Sequence, residues 1–478
     1  MSLQTEDCYF ESYSDALQQA KQSVYLNRTK SKLQLCYYDG KAQDNALPNL
    51  INVPIENFEE TLLTLQTRHP TFIVHQQAQI IKDKLSQLHQ RVTEKSKTLK
   101  KLIRSQTINF NEPHRVYLNA EYMGRVVLRI TELLKDAFIK AGYKVKFDIN
   151  DQLSDMNDLK RLQSIAEFQP HITVNINRIR NDIINDSTFN YIWFMDPTLC
   201  LYDNSKFKYR ERDHYFYLID NFVSPLLAKG VTHDKMTKQK FATNSDSFYL
   251  ESTAQERKNK MVFIGNDYFH VGDPTNEYRH QTEMINELSA LFNEQKLDLL
   301  TINDLARKYK EKGVIRSHEH VEMFIFTAIV RLEVLKWAVN SNIELEIYGE
   351  GWENYQEFIP FYRGVLETDD DVRKVYNSSK YCLLAHPQYF YQQRMMEASA
   401  CGAIPVVYKD ITNTEQCDHL DNILTFTNQA ELNNIKNKHP RLDVQQIASD
   451  NSYKQLIRSI QEHVNDGLND TQHNELNN

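Results

Sequence analysis

The chain has 478 residues, which is too many for one ordinary hydrophobic core, so two or three domains are expected. Hydrophobic residues make up 41% and charged residues 25% of it, which is typical of a soluble globular protein. The net charge of −8 argues against a general nucleic-acid binder, because such proteins are usually basic.

Targeting and membrane signals are not apparent in the sequence. Residues 1–7 do not combine a basic region with an apolar stretch, so no signal peptide is expected. No window reaches the roughly 18 uncharged apolar residues that a spanning helix needs, since charged side chains interrupt the most apolar stretch, 320–340. We expect a cytoplasmic protein with no membrane span, for which peripheral membrane association stays open.

Six cysteines are scattered along the chain, and none forms a Cys-x-x-Cys pair. Neither a zinc ribbon nor a disulfide framework is therefore indicated. Cys382 and Cys401 lie in apolar runs and are expected to be reduced core residues.

Residues 1–107 are predicted to form a separate accessory module, either α/β or helical. The pattern is helix-like at 15–26, strand-like at 32–38 and 71–75, and helical over a long polar stretch at 76–104. The apolar positions of this last helix recur at near-heptad spacing. A helix lying on the domain explains this spacing, and a homo-oligomer contact through 76–104 is the alternative.

Residues 108–255 alternate strands and helices, which predicts a parallel sheet with helices on both faces. The strand at 116–119 precedes a turn from Glu121 to Gly124 and a helix at 125–141, which Gly142 ends. We expect Val126 on the apolar face of that helix. Further strands are predicted at 143–149, 171–175, 191–195 and 215–219.

Residues 256–442 restart the same pattern, with a strand at 258–265, a long helical insertion at 275–312 and a helix from 320. A final helix is predicted at 443–464, and the Asn- and Asp-rich residues up to 478 are expected to be frayed. The remaining strands of this domain are predicted at 344–348, 381–385 and 404–408.

The segment 391–407 is the most informative part of the chain. It predicts a short amphipathic helix, on which Arg394 and Glu397 share one face because they are three residues apart. Gly402 stands where a helix end favours a left-handed residue, and the apolar run at 404–407 suits a parallel sheet. Such a helix start and Arg394 attract phosphate, and the Glu397 carboxylate can accept hydrogen bonds from ribose hydroxyls.

This segment resembles the nucleotide-sugar site of GT-B glycosyltransferases, in the group-1 branch that includes spore-maturation-like proteins and carries Arg-x-x-Glu-Ala-x-Ala-Cys-Gly. Residues 262–266, 345–352 and 362–380 resemble other parts of the same C-terminal half, and the resemblance fades upstream of Val262. It implies an α/β fold with two Rossmann-like domains facing across a cleft. The C-terminal one, 256–442, would hold the donor, while the N-terminal one would hold the acceptor and supply the base.

Two glycine loops are candidate donor contacts. Gly265 and Asn266 follow a predicted strand, where a glycine lets backbone amides approach a diphosphate, although a plain turn is nearly as good an explanation. Gly349 and Gly351 follow the next strand and permit close contact with a ligand. Trp352, beside them, is expected to be a core residue.

The chain departs from the family pattern at two positions. Related enzymes often have a basic residue just after the first glycine turn, but Asn266 and Asp267 stand here, so Arg394, helix amides or a basic residue from elsewhere must meet the phosphate charge. The retaining branch has a second Glu eight residues before Glu397, where this chain has Tyr389. Retention of anomeric configuration therefore cannot be carried over.

His386, followed by proline, comes just past a predicted strand and can bond a phosphate or the acceptor. A turn explains it equally well. A His-Pro pair at a similar place also occurs in transferases that use CMP-sugars, which keeps that donor class open.

Asp196 is the candidate catalytic base, because it ends a predicted buried strand and inverting transfer needs a carboxylate or His to take the acceptor proton. An ordinary Asp-Pro turn is the alternative. Glu121, after the first strand of this domain, and His114, before it, are competing candidates. Gly124 would let the acceptor or donor approach.

The sequence thus predicts a metal-independent glycosyltransferase whose nucleotide-sugar is a substrate, with no cofactor and no nucleic-acid partner. The acidic run 369–371 is expected to cap a helix rather than bind a metal. The acceptor would be a glycan, a cell-surface polymer precursor or a protein. The alternatives are a catalytically silent module that binds a glycan or a protein, and a nucleotide-sugar epimerase; flavin or NAD enzymes are disfavoured because no Gly-x-Gly-x-x-Gly turn occurs.

Overall fold

A computed structural model gives the architecture of the chain. It describes residues 8–10, 35–37, 50–52, 73–74, 78–121, 125–150, 157–196, 198–202, 207, 210–251, 257–269, 282–297, 299–312, 325–387, 390–409 and 416–476. The chain forms two compact units, Met1–Phe216 with Lys229–Met236 and Tyr217–Ala228 with Thr237–Asn478. The domain limits predicted at residues 107, 255 and 442 stay predictions.

A four-stranded sheet lies near the N-terminus of the first unit, with strand order β3-β2-β1-β4 and parallel pairing throughout. Its strands, and the helix that follows them, are β1 (Cys8–Phe10), β2 (Leu35–Tyr37), β3 (Leu50–Asn52), β4 (Ile73–Val74) and α1 (Ala78–Ser105). The strands predicted at 32–38 and 71–75 and the helix at 76–104 are confirmed, while the helix predicted at 15–26 lies outside the described residues. The oligomer contact stays a prediction.

A six-stranded sheet follows in the chain, with strand order β10-β9-β8-β7-β5-β6. Its elements are β5 (Arg115–Glu121), α2 (Arg125–Lys140), β6 (Lys144–Asn150), α3 (Asn157–Phe168), β7 (Ile172–Ile176), β8 (Phe189–Phe194), α4 (Leu199–Tyr202), β9 (Asp213–Tyr217) and β10 (Met236–Lys238). Strand β5 pairs in parallel with both β6 and β7, and β7 pairs in parallel with β8. The strand order therefore reverses between β5 and β7.

Helix α2 has most of the predicted apolar face, but two details of the prediction around it are wrong. Ile130, Leu134 and Phe138 are buried as expected, and Gly142 ends the helix with a φ of +87°. Val126, however, is 63% exposed, because it lies in the first turn beyond the buried stripe. Glu121 was predicted in a turn, but it is the last residue of strand β5, paired with Asn150 of β6.

The second unit contains a five-stranded, fully parallel sheet with strand order β12-β11-β13-β14-β15. The elements of the unit are α5 (Val223–Ala228), β11 (Lys258–Ile264), α6 (Thr282–Asn293), α7 (Leu299–Glu311), α8 (Phe326–Val339), β12 (Glu344–Tyr348), α9 (Asp369–Ser378), β13 (Ser379–Leu384), α10 (Gln393–Ala400), β14 (Ile404–Tyr408), β15 (Leu424–Phe426), α11 (Gln429–Asn433), α12 (Gln445–Asp450) and α13 (Tyr453–Leu476). With the sheet of the first unit, this confirms the predicted α/β fold class with two Rossmann-like domains.

The helical insertion predicted at 275–312 is not one helix but two, α6 and α7. Gln295 adopts a left-handed conformation with a φ of +56°, and the Lys296 amide donates back to the Leu291 carbonyl at 2.9 Å. This is a left-handed helix stop at a residue other than glycine, so no glycine in the sequence marks it.

The final helix predicted at 443–464 is likewise divided, into α12 and α13. The break falls at Asn451, whose carbonyl accepts a hydrogen bond from the Thr243 amide at 2.9 Å, while Ser452 forms a β-bridge with Thr243. The tail predicted as frayed continues α13 to Leu476. Strand β15 was missed because it has only three residues.

Two apolar layers enclose the second sheet. One contains α6, α7 and α8 with Trp352, which is fully buried as predicted. The other contains α9, α10 and α12 with Cys382 and Cys401, which are buried and free, also as predicted. The strands are covered on both faces, which leaves the strand ends as the polar edges of this unit.

Among the helices that the structure describes, none is long and apolar enough to cross a membrane.

Candidate functional site

The second sheet has one point at which its strand order reverses, between β11 and β13. Ligands of open parallel α/β sheets bind outside the carboxyl ends of the strands at such a point. Gly265 and Asn266 follow β11 there, and His386 follows β13 after one residue. Three of the predicted donor-binding residues therefore lie at the strand ends where this fold places a ligand.

The two glycine turns at this edge are locked to each other. Gly349 has a φ of +130°, and a Cβ atom there would lie 2.3 Å from the Gly265 carbonyl oxygen. The Asn266 side-chain oxygen accepts a hydrogen bond from the Glu350 amide at 3.0 Å, and Trp352 Nε1 donates to the Gly265 carbonyl at 2.6 Å. The close approach that Gly349 permits is thus to the neighbouring backbone.

Gly351, the other glycine of this loop, also has a left-handed backbone, with a φ of +94°. Its amide donates to the Glu353 carboxylate at 2.9 Å, at the start of the short helical turn that carries Trp352. Its place as a donor contact stays a prediction.

Helix α10 places Arg394 and Glu397 one turn apart, as predicted. Arg394 Nη1 donates to Glu397 Oε2 at 2.6 Å, and Gln393 Nε2 donates to Oε1 at 3.0 Å. The Glu397 side chain is only 2% exposed, while that of Arg394 is 39% exposed. The helix was predicted to be amphipathic, but all residues from Met395 to Ala400 are buried, and the accessible polar group is the guanidinium.

The ion pair with Glu397 stabilises the positive charge of Arg394. Burial alone would lower its pKa, but the adjacent Glu397 carboxylate raises it above the ordinary value. At the other end of α10, Gly402 has a φ of +75° and the Ala403 amide donates to the Ala398 carbonyl at 2.9 Å, which confirms the predicted left-handed stop.

His386 is a neutral residue at physiological pH. Its side chain is buried, and this burial, together with the positive charge of Arg331, lowers its pKa to about 3. Its imidazole therefore carries one N–H donor, one acceptor nitrogen and no charge.

Arg331 is a residue of this edge that the sequence reasoning missed. It projects from α8, where Nη1 donates to the Asn266 carbonyl at 2.8 Å and the guanidinium lies 4.2 Å from the ring centre of Tyr268. It was read only as an interruption of an apolar stretch. The available signal was the single arginine in a helix that is apolar on nearly every side. A helix of this kind is largely buried, and a charged side chain there is costly unless it has a partner.

Asp196 follows β8 at the carboxyl edge of the first unit's sheet and is held by Asn177, which follows β7. Asn177 Oδ1 accepts from the amides of Met195 at 2.8 Å and Asp196 at 3.1 Å, while Nδ2 donates to the Asp196 carboxylate at 2.7 Å. Asn177 adopts a left-handed backbone with a φ of +55°. The side chain of Asp196 reaches solvent, yet desolvation by the surrounding protein raises its pKa, and the Asn177 hydrogen bond offsets this only in part.

The two competing catalytic candidates lie at opposite ends of β5. Glu121 ends the strand beside the order reversal of the first sheet, whereas His114 precedes the strand at the amino edge. The strand between them makes seven residue-to-residue steps of about 3.3 Å. His114 packs 5.3 Å from the His171 ring, and burial lowers its pKa. The structure thus does not bring His114 to the edge that carries Glu121 and Asp196, and Gly124 lies outside the described residues.

The acidic run 369–371 forms the first turn of α9, as predicted. Thr368 caps this helix by accepting from the Asp371 amide at 3.2 Å, and the Asp371 carboxylate accepts from the Thr368 hydroxyl at 2.6 Å. Within the described parts of the chain, no group of three or more His, Cys, Asp or Glu side chains is placed to hold a metal ion. Metal independence itself stays a prediction.

A segment of the second unit matches a known protein family. Residues 331–465 match the family model described as glycosyl transferase-like, which confirms the resemblance drawn from the motifs. This range includes Arg331, both glycines of the second loop, His386, Arg394 and Glu397. No curated protein matches the chain in sequence.

Solved structures similar to this chain include three with 9–10% identity. Sucrose-phosphate synthase from Thermosynechococcus elongatus has a TM-score of 0.43 at 9% identity, covering 74% of this chain and 100% of its own. A glycosyltransferase from Rickettsia africae has a TM-score of 0.41 at 10% identity, covering 75% and 99%. Anabaena HepE in complex with UDP-glucose has a TM-score of 0.40 at 9% identity, covering 74% and 99%.

The contact between the glycine turns predicts unequal effects of two alanine substitutions. Gly349→Ala should destabilise the protein by about 2–4 kcal/mol, because it adds backbone strain and a clash with Gly265. Gly364→Ala is the matched control, since Gly364 has a φ of +91° but open space around its Cβ position, and should cost about 1 kcal/mol. Urea unfolding measures both, and equal losses would contradict the proposed contact.

The Asn177 bridge predicts a second effect. Asn177→Gly keeps the left-handed backbone but removes three side-chain hydrogen bonds, so stability should fall by about 1–3 kcal/mol. The pKa of Asp196 should rise, because the lost Asn177 bond lowers it. Carboxyl-carbon NMR titration and urea unfolding check these outcomes.

A control for this substitution is Gln169→Gly, at another left-handed position of the same unit with a φ of +49°. It relieves strain and should leave stability equal or slightly higher. An unchanged Asp196 titration in Asn177→Gly would show that the bridge does not act on the carboxylate.

Proposed function

We propose that this chain is a glycosyltransferase that moves a sugar from a nucleotide-activated donor to an acceptor hydroxyl. One observation carries the proposal. The segment that matches the glycosyl transferase-like family supplies His386 just past the strand β13, which flanks the point where the strand order of its sheet reverses, and the partly exposed Arg394 in the helix α10 that follows β13 in the chain. That point is where such folds bind their ligands.

The donor would be held by the second unit. Arg394 is charged and partly exposed at the start of α10, so it can bind the phosphates together with the helix amides. His386, as a neutral imidazole, would form a hydrogen bond with the nucleotide-sugar. For Glu397 to accept from the ribose, its side chain, which is 2% exposed, must become accessible. The ribose would then share or exchange the hydrogen bonds that Gln393 and Arg394 donate to the carboxylate.

Asp196 of the first unit would be the general base. The acceptor oxygen attacks the anomeric carbon and transfers its proton to the Asp196 carboxylate, while the bond from that carbon to the phosphate oxygen breaks and the nucleotide leaves. A raised pKa makes Asp196 a better proton acceptor than an ordinary aspartate. The Asn177 bridge would hold the carboxylate in one orientation.

Donor recognition is tested by thermal unfolding with UDP-, GDP-, dTDP-, ADP- and CMP-sugars, and by nucleotide release from them. One donor class at a hundred times its dissociation constant should stabilise the protein by about 2.7 kcal/mol. The absence of any stabilisation, with no nucleotide released, would sink the proposal. Conversion of the donor without an acceptor would instead identify an epimerase.

The base is tested by Asp196→Asn, which should lower kcat by about 10²–10⁴-fold while donor affinity stays constant. Asp186→Asn is the control, since Asp186 is an aspartate of the same unit with a side chain 83% exposed. In the wild type, kcat/KM should fall with decreasing pH around a midpoint above the ordinary Asp pKa of about 3.9, since the active base is the deprotonated form and its pKa is raised. Unchanged turnover in Asp196→Asn would remove this assignment.

A further inference from the structure

We propose that Arg331 of helix α8 binds the phosphate of the nucleotide donor. This rests on the proposed function, and it names the basic residue that the turn after β11 lacks. The sequence places Asn266 and Asp267 at that turn, so the turn itself brings no positive charge to the edge of the sheet.

The position of Arg331 fits this role. Its Nη1 bonds the Asn266 carbonyl at 2.8 Å, and a Cβ atom on Gly265 would lie 3.4 Å from the same nitrogen. The guanidinium therefore lies against the glycine turn at the carboxyl end of β11. Its charge also reaches the buried imidazole of His386 at the end of β13, where it disfavours protonation. Arg331 thus acts on both strands that flank the order reversal.

The charge of Arg331 is not compensated within the described part of the chain. It makes no ion pair there, its one hydrogen bond goes to a backbone carbonyl, and its Nε is buried without a partner. Leaving a half-buried cation in this state is costly unless an anion joins it. The unused donors of a guanidinium match the oxygens of a phosphate group.

Arg257 shows what a structural arginine looks like in the same unit. It lies at the opposite, amino edge of the sheet, just before β11, and also has no acidic partner among the described residues. However, it donates to three carbonyls, those of Tyr376, Ser379 and Cys401. Its hydrogen-bonding capacity is largely used by the protein, whereas that of Arg331 is not.

Contacts with two aromatic rings also restrict the position of Arg331. Tyr268 lies against its guanidinium at 4.2 Å, and Phe263 lies 5.9 Å away on the strand below. Aromatic contact of this kind favours a positive group and restricts its motion. A fixed guanidinium loses less conformational entropy on binding than a free one would.

The test compares nucleotide affinities in three variants of the full chain, Arg331→Gln, Arg331→Lys and Arg257→Gln. Isothermal titration first identifies which of UDP, GDP, dTDP, ADP and CMP binds the wild type. If a diphosphate binds, it and its nucleoside are titrated into each variant. Arg331→Gln should weaken diphosphate binding by about 10- to 100-fold, the effect of losing a charged hydrogen-bond donor, and leave nucleoside binding unchanged. If CMP binds instead, CMP replaces the diphosphate and cytidine replaces the nucleoside in these titrations.

The controls separate charge from folding. Arg331→Lys keeps the charge and should weaken binding less than Arg331→Gln, and it substitutes for that variant if the glutamine form fails to fold. Arg257→Gln should lower the melting temperature but keep the affinity. The wild type should lose affinity with added salt more steeply than Arg331→Gln does.

Two results would overturn the assignment in distinguishable ways. Equal phosphate-dependent affinity in the wild type and a folded Arg331→Gln variant would refute the role of Arg331 and leave the proposed function standing. A wild type that binds none of the five nucleotides would refute both.

Discussion

The backbone contact between Gly265 and Gly349 is the constraint on which the second unit's site depends. It fixes the ends of two neighbouring strands against each other, with Asn266 bridging to the Glu350 amide. Arg331 then anchors on the Asn266 carbonyl, so its orientation follows from the same turn. A loop that moved here would displace the guanidinium that bonds this turn. The rigidity of the turn is therefore a requirement of the electrostatics and not only of packing.

The strand order of both sheets explains which residues come together. Each sheet begins in its interior, adds one strand on one side and the others on the opposite side. Residues at the carboxyl ends of the strands next to this reversal are placed at one edge, as Glu121 and Asn177 are in the first unit and Gly265 and His386 in the second. His114 precedes its strand and so falls at the wrong edge for this purpose.

Most of the fold could be predicted because its signals are local. Apolar runs such as 404–408 and left-handed stops such as Gly142 and Gly402 depend on neighbouring residues only. The division at Gln295 and the break at Asn451 could not be predicted, since one uses a residue with no special preference and the other depends on a distant partner, Thr243. Among the candidate site residues, the spacing of Arg394 and Glu397 predicted that they share a helix face, as they do. The burial of Glu397, the anchoring of Arg331 and the Asn177 bridge are tertiary facts without a sequence period.

The pairing of Glu397 with Gln393 and Arg394 has a consequence for affinity. The Glu397 carboxylate accepts hydrogen bonds from the side-chain N–H groups of Gln393 and Arg394, the kind of bond that a sugar hydroxyl could also donate. Under the proposed donor role of Glu397, a ribose would have to exchange with these donors, and every 1.4 kcal/mol needed for that exchange would weaken its apparent binding about tenfold. The fraction of protein with a bound donor would then depend on the donor concentration. Substitutions at position 393 would change the donor concentration needed for half-saturation.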